Sequence, residues 1–192
     1  AHFTLDVPRR WCVALSAGLD STVLLHAMSQ VISDLEPRGA HRLRAIHVDH
    51  GLYPDAKAWT EAARAQAQGL GCDFQVLKVS VQKEPGQSLE DCARQARYQA
   101  LMQAMDEGEI LLTGHHQDDQ LETVLLQLMR GGGVAGLAAM PVCAVFGSGQ
   151  HFRPLLDFSR EELRHWACQR GVEWIEEPSN QDTNFDRNYL RH

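Results

Sequence analysis

The chain predicts an α/β fold, a parallel sheet with helices on both faces, and two observations carry that expectation. First, apolar β-rich runs near 11–15, 43–48, 74–81 and 110–114 alternate with helical patterns near 21–35, 56–69, 88–106 and 118–130. Strand–helix alternation of this kind builds parallel sheets through helical crossovers. Second, polar clusters sit where the strands end. Ser16–Ser21 follows the first run, His47-Val48-Asp49-His50 ends the second, and Gly114-His115-His116 ends the fourth. Open parallel sheets bind ligands beyond the carboxyl ends of their strands, near the switch in strand order.

Trp11-Cys12-Val13-Ala14-Leu15 reads as a central strand, with Cys12 a small core residue. Leu24, Met28, Val31, Ile32 and Leu35 then recur at helical spacing and give the first helix one apolar face. The turn between them is Ser16-Ala17-Gly18-Leu19-Asp20-Ser21, followed by Thr22. A strand, a small-residue turn and a helix N-terminus make an anion site, because free N–H groups and the helix dipole converge there. Ala17 and Gly18 let backbone approach a ligand, and Ser16, Ser21 and Thr22 bring hydroxyl donors. No Gly-Lys-Ser/Thr follows, so the loop is not a Walker A sequence. Taken alone, it equally fits an ordinary turn with Asp20 as N-cap.

His47, Asp49 and Gly51 read as a wall of the same crevice. In the third helix Arg94, Arg97 and Tyr98 share a face, which suits either phosphate contacts or a solvated charged surface. The helix after Gly114-His115-His116 is expected to bury Leu121, Val124, Leu125 and Leu128. Its Asp118, Asp119 and Glu122 lie three and four residues apart, so their carboxylates gather at the helix start. They suit magnesium or an amine substrate, or simply complement the dipole. The two-histidine helical spacing of zinc proteases is missing. Residues 131–150 carry no charge and many glycines, and are expected to form a loop near the site or a loose connector. A strand over Phe152–Leu156 and an amphipathic helix with Leu163, Trp166 and Ala167 come next. Near the end, Pro178–Asp182 reads as a turn, and Arg187 and Arg191 are spaced to grip phosphate together.

The 192 residues suit one α/β domain. The sequence begins at Ala1 and ends in a helical pattern that stops short, so a longer parent protein is expected. No apolar run reaches membrane-span length and no signal peptide is visible, which makes the cytoplasm the expected location. The net charge of −7 does not advertise nucleic-acid binding, yet 15 of the 18 basic residues are Arg. That bias suits bidentate phosphate contacts, and codon usage explains it equally well. The five cysteines form no C-x-x-C pair, which argues against a structural zinc site or a disulfide framework.

The ordered motifs carry a resemblance. S-A-G-L-D-S is similar to the PP-loop of the N-type ATP pyrophosphatases. H-V-D-H-G-L, A-R-Q-A-R-Y, G-H-H-Q-D-D-Q-L-E-T, R-G-G-G-V-A-G-L, R-P-L-L and the W-I-E-E-P-S-N-Q-D…R-N-Y-L-R ending extend it over about residues 11–191. Together they resemble the N-terminal catalytic domain of the tRNA(Ile)-lysidine synthetase family. The resemblance implies a Rossmann-like, PP-loop fold and an ATP-dependent ligase using Mg²⁺. It implies as partners tRNA(Ile) with a CAU anticodon and free L-lysine, with a homodimer left open and tRNA-holding domains further along the chain. It implies ATP contacts at Ser16, Ala17, Gly18, Leu19, Asp20, Ser21, Thr22, His47 and Gly114. Asp20, Asp49, His116, Asp119 and Glu122 would carry catalysis, with Asp119 the metal candidate and His115 or His116 moving protons. Arg94, Arg97, Arg130, Arg187 and Arg191 would meet tRNA or the adenylated intermediate. Two departures stand out. Ala17 replaces the family's usual Gly, which is tolerable at negative φ and costly at positive φ. Glu177 replaces its usual Asp. A tRNA-thiolating relative and a non-catalytic nucleotide-binding module remain the alternatives; the first needs cysteines that this sequence does not pair.

Overall fold

The computed structural model describes residues 9–35, 41–51, 54–81, 86, 88–129, 131 and 138–176. Six strands form one sheet: β1 (Arg10–Ala14), β2 (Arg42–Asp49), β3 (Asp73–Lys78), β4 (Ile110–Leu112), β5 (Cys143–Phe146) and β6 (Gly149–Phe152). Their spatial order is β3-β2-β1-β4-β6-β5. All neighbouring pairs are parallel except β5 with β6. The helices are α1 (Leu19–Asp34), α2 (Ala56–Gly69), α3 (Leu89–Ala104), α4 (Gln117–Met129) and α5 (Arg160–Gln169).

Alternation along β1 explains the layers. Trp11, Val13 and Leu15 join a core with α1, α2 and α5 on one face, through Leu24, Ala63 and Leu163. Cys12 and Ala14 face the other way, toward Leu101 of α3 and Phe146 of β5. A strand apolar on both faces is what a sheet sandwiched between helices requires. Helix starts follow their caps. Ser88 accepts from the Asp91 N–H, and Ser159 with Glu162 closes a reciprocal capping box on α5.

The chain leaves β1 toward β2 and β3, then returns to place β4 on the other side of β1. The switch in strand order therefore falls between the carboxyl ends of β1 and β4.

Several expectations need correction. The sheet is not wholly parallel: part of the charge-free 131–150 stretch folds as the β5–β6 hairpin, closed by Gly147 at φ +55 and Ser148. The strand expected over Phe152–Leu156 ends at Phe152. Pro154 has no N–H to give a ladder, and Leu155 and Leu156 are buried in a turn instead. In α4, Leu121 is 60% and Leu128 51% exposed, whereas Glu122 is only 4% exposed. The helical period is there, but its inward face carries the carboxylate. Gly18, not Asp20, is the N-cap of α1. Among the described residues no helix is long and apolar enough to cross a membrane.

One ion pair, with its carboxylate buried, fastens the amino ends of β2 and β4, opposite the ligand end. Arg44 reaches Glu109 with Nε–Oε1 at 2.7 Å and an Nη2–Oε2 contact of 2.6 Å. Glu109 also accepts from the Asp106 N–H, and Arg44 donates to Gln75 and to the Ala104 carbonyl. This hydrogen bonding pushes the Arg44 guanidinium further toward its charged form.

Candidate functional site

The turn after β1 is held open by its own side chains. Ser16 Oγ and Ser21 Oγ lie 3.1 Å apart, and Ser21 Oγ accepts from the Ser16 N–H. The first helical bond of α1 runs from the Thr22 N–H to the Gly18 carbonyl at 3.0 Å. The N–H groups of Leu19, Asp20 and Ser21 therefore have no intrahelical acceptor, and the positive end of the helix dipole lies there. Ala17 has φ +69, so this alanine occupies the left-handed region that glycine favours. Its methyl is fully buried in the core, and its carbonyl accepts from Ile175, which straps residues 172–176 across the loop.

Gly114 brings the end of β4 against this turn. A Cβ at Gly114 would lie 2.8 Å from the Asp20 carbonyl carbon, 2.9 Å from its oxygen and 3.0 Å from the Ser21 nitrogen. Only glycine leaves room there.

Above the two strand ends lies a cavity of about 390 Å³, within the usual range for small-molecule sites. Ser16, Gly18, Leu19, Asp20 and Ser21 form its floor. Arg94, Arg97 and Tyr98 come from α3, His115 and Asp119 from the β4–α4 junction. His50, Arg160 and Glu176 complete the walls. A second chamber of about 140 Å³ adjoins it, lined by His47, Asp49 and Trp59, and shares Ser16, His50 and Arg97 with the first.

Asp119 is 13% exposed and does two things. Its Oδ2 accepts from the His116 N–H at 3.0 Å, which caps α4, and it lines the cavity. The His116 ring is buried beneath, with Nε2 3.5 Å from Asp119 and 3.6 Å from Asp20. Asp118 Oδ2 lies 3.7 Å from His116 Nδ1 and accepts from the Arg160 N–H, outside the cavity lining. Arg160 Nε sits 3.9 Å from Asp20 Oδ1. His47 donates Nδ1–H to the Leu15 carbonyl at 2.8 Å, and burial lowers its pKa. Burial chiefly, and Arg94, Arg153 and Arg97 next, push His115 down to about 2.

The structure therefore gathers Ser16, Gly18, Leu19, Asp20, Ser21, Arg94, Arg97, Gly114 and Asp119 around one cavity, with His47 and Asp49 beside it. Thr22 is fully buried and does not reach it: its hydroxyl donates to the Gly18 carbonyl and neighbours Gln66. Ala17, Glu122 and His116 lie behind the lining rather than in it. Arg130, Glu177, Arg187 and Arg191 lie outside the described residues. Sequence reasoning missed Arg160, Glu176 and the link from His115 through the Thr113 hydroxyl to His151. The Ser159–Glu162 capping pattern locates a helix start beside Arg160 but not the cavity it faces.

Proteins named tRNA(Ile)-lysidine synthase are similar along nearly the whole chain. That of Alkalilimnicola ehrlichii is 50% identical over 182 residues, covering 95% of this chain and 40% of that protein. Those of Coxiella burnetii and Escherichia coli O157:H7 are 43% and 48% identical, covering 98% and 95% of this chain. The chain thus spans about 40% of the length of the relatives it matches. Among solved structures, the U34-tRNA thiolase NcsA from Methanococcus maripaludis with its [4Fe-4S] cluster superposes with a TM-score of 0.72. At 17% identity, over 97% of this chain and 65% of that one, the likeness is one of fold. The family model of the PP-loop domain matches residues 2–192, and the chain belongs to that family.

Proposed function

We propose that this chain is the adenylating unit of a tRNA(Ile)-lysidine synthase. It would use ATP to activate the wobble cytidine of a tRNA(Ile) with a CAU anticodon and join free lysine to it. One observation carries the reading. The first-turn N–H groups of Leu19–Ser21, the guanidiniums of Arg94 and Arg97, and the carboxylates of Asp20 and Asp119 meet at one cavity at the strand-order switch. A polyphosphate needs such donors, and charge developing on it is stabilised by groups already in place.

In this reading the β,γ-phosphates lie on the Ser16–Ser21 turn. The cytidine C2 oxygen attacks the α-phosphate, pyrophosphate leaves, and the lysine ε-amine then displaces AMP. The turn, held by its serine cross-link and the Gly114 contact, fixes the leaving group in line with the attacking oxygen, where positioning carries much of the rate. Arg94 and Arg97 bind the α-phosphate or the tRNA backbone. Asp119 and Asp49 attract the lysine ammonium, with the buried Glu122 adding negative charge from behind the lining, and the Asp119–His116 pair receives the proton released before attack. Arg130, Arg187 and Arg191 add tRNA phosphate contacts. The site acts where tRNA is found, in the cytoplasm.

Magnesium fits this donor set in one way only. Among the described residues no cluster of three His, Cys, Asp or Glu side chains makes a protein cage. Mg²⁺ is commonly held by one or two carboxylates together with substrate phosphates. Asp119 and Asp20 are the residues to hold it. When bound it would neutralise phosphate charge.

The test is incorporation of labelled lysine into a CAU-anticodon tRNA(Ile) transcript with MgATP. Saturating tRNA is needed, because a net charge of −7 disfavours a polyanion. Lysine-labelled tRNA with AMP and pyrophosphate released supports the proposal. In the full-length protein, ATP binding without incorporation, or sulfur transfer instead, overturns it.

A further inference from the structure

Behind the cavity runs a chain of four side chains that the reading above does not use. Arg153 Nη2 lies 3.0 Å from His151 Nδ1. His151 Nε2 lies 2.8 Å from Thr113 Oγ1. Thr113 Oγ1 lies 2.7 Å from His115 Nδ1. The direction of every bond follows from its first member. A guanidinium only donates, so His151 Nδ1 accepts and carries no proton. Neutral His151 then holds its proton on Nε2 and donates it to Thr113. The two ring nitrogens are the partners of the Thr113 hydroxyl, and His151 Nε2 already donates, so the single hydroxyl hydrogen goes to His115 Nδ1, the one left to accept. His115 is left with its proton on Nε2, its one remaining polar atom, and His115 lines the cavity.

The chain is fixed at its far end and along its length. Arg153 Nη1 donates to the Pro141 carbonyl at 2.8 Å. The His151 ring is buried against Tyr98 and Phe146, with centroids 5.8 and 5.7 Å away. Thr113 is also buried. We infer that Arg153, His151 and Thr113 are positioning residues that lock His115 as a neutral hydrogen-bond donor, Nε2–H, toward an oxygen of the bound nucleotide. Burial and the surrounding arginines push His115 to about 2 and His151 to about 3, so both rings stay neutral as the chain of bonds requires. His115 is then neither a general base nor a metal ligand, since its Nδ1 is spent and its Nε2 is protonated. This assigns proton transfer away from His115, one of the two histidines that the sequence offers for it.

The contact with nucleotide rests on the ATP reading above; the locked tautomer does not. The experiment separates them. Imidazole nitrogen NMR shifts of the isotope-labelled chain, without nucleotide near neutral pH, should show His115 with bare Nδ1 and protonated Nε2. Thr113→Val should mix the two tautomers, and Thr113→Ser should restore the single one. In MgATP titrations Thr113→Val should weaken binding about tenfold, the scale of one hydrogen bond to a charged group. Thr113→Ser should stay within about twofold of the parent, and Thr113→Val should add nothing to His115→Ala in the double variant. A parent His115 protonated on Nδ1 overturns the inference, as does a Thr113→Ser variant as weak as Thr113→Val. If the chain binds no MgATP, the ATP reading fails while the NMR result still decides the lock.

Discussion

Gly114→Ala should damage nucleotide binding by moving backbone alone. The added Cβ would sit 2.8–3.0 Å from the Asp20 carbonyl and the Ser21 nitrogen. Carbon contacts are comfortable at about 3.5–4.0 Å, so the start of α1 or the end of β4 must retreat by roughly 0.5 Å or more. Neither neighbour is a flexible side chain, and overpacking of this kind costs about 1–3 kcal/mol. The displaced N–H groups are those of the phosphate-facing turn. Lengthening a 2.9 Å hydrogen bond by about 0.5 Å takes it out of the effective range, and each lost bond to an anion is worth about 1.5–3 kcal/mol. Loss of one such bond raises the MgATP dissociation constant about 10- to 100-fold. Isothermal titration and urea denaturation would read both effects. Gly69→Ala, which meets nothing within 4 Å, is the control and should leave ATP affinity unchanged. Parent-like affinity and stability in Gly114→Ala would refute the argument that this contact shapes the turn.

Four more outcomes follow from the same structure. Asp119→Asn keeps an oxygen for the His116 N–H, so stability should fall by less than about 1 kcal/mol while lysine transfer is lost; normal turnover would remove Asp119 from the chemistry. Glu109→Ala should cost about 3–5 kcal/mol in denaturant unfolding, because it strands the half-buried Arg44, and a change near zero would contradict that. Stability should be full above about pH 6.5 and fall as pH drops toward 3, because the unfolded His151 and His115 take protons that the folded rings refuse. His151→Gln should flatten that decline in urea midpoints measured across pH, and an equal slope would count against it. Ala17→Val puts a β-branched residue at φ +69 and should destabilise by more than about 1 kcal/mol; Ala17→Gly should be close to neutral, since relief of the left-handed backbone offsets the buried methyl lost.

The sequence resolved best where one physical signal dominated. The apolar run at Trp11–Leu15 read as a central strand, and the small-residue turn after it marked the helix start within two residues. The ligand end of the sheet followed from where polar clusters ended strands, whereas the strand order that puts the switch between β1 and β4 is set by topology. The hairpin at Cys143–Phe152 was harder, because its glycines read first as a loop. Its Gly147-Ser148 pair between short alternating runs is nevertheless a hairpin signal. Helix α4 shows the limit of periodicity: spacing reveals a stripe but not which stripe faces in, and Glu122 rather than Leu121 is buried. Ala17 posed a question that only its dihedral could answer. The site's outer walls were illegible for another reason. Arg160 and Glu176 reach the cavity from distant segments through topology, and no local spacing encodes that. The Arg153–His151–Thr113–His115 chain likewise joins two strand ends 38 residues apart in sequence at its Thr113–His151 link.

The central claim is that the turn after β1 grips the leaving pyrophosphate of ATP. A crystal structure of the chain with MgATP tests it most directly. The account predicts β- and γ-phosphate oxygens within hydrogen-bond distance of the Leu19–Ser21 N–H groups, with Arg94 or Arg97 on the α-phosphate. Nucleotide density elsewhere, or phosphates turned away from that turn, would contradict it.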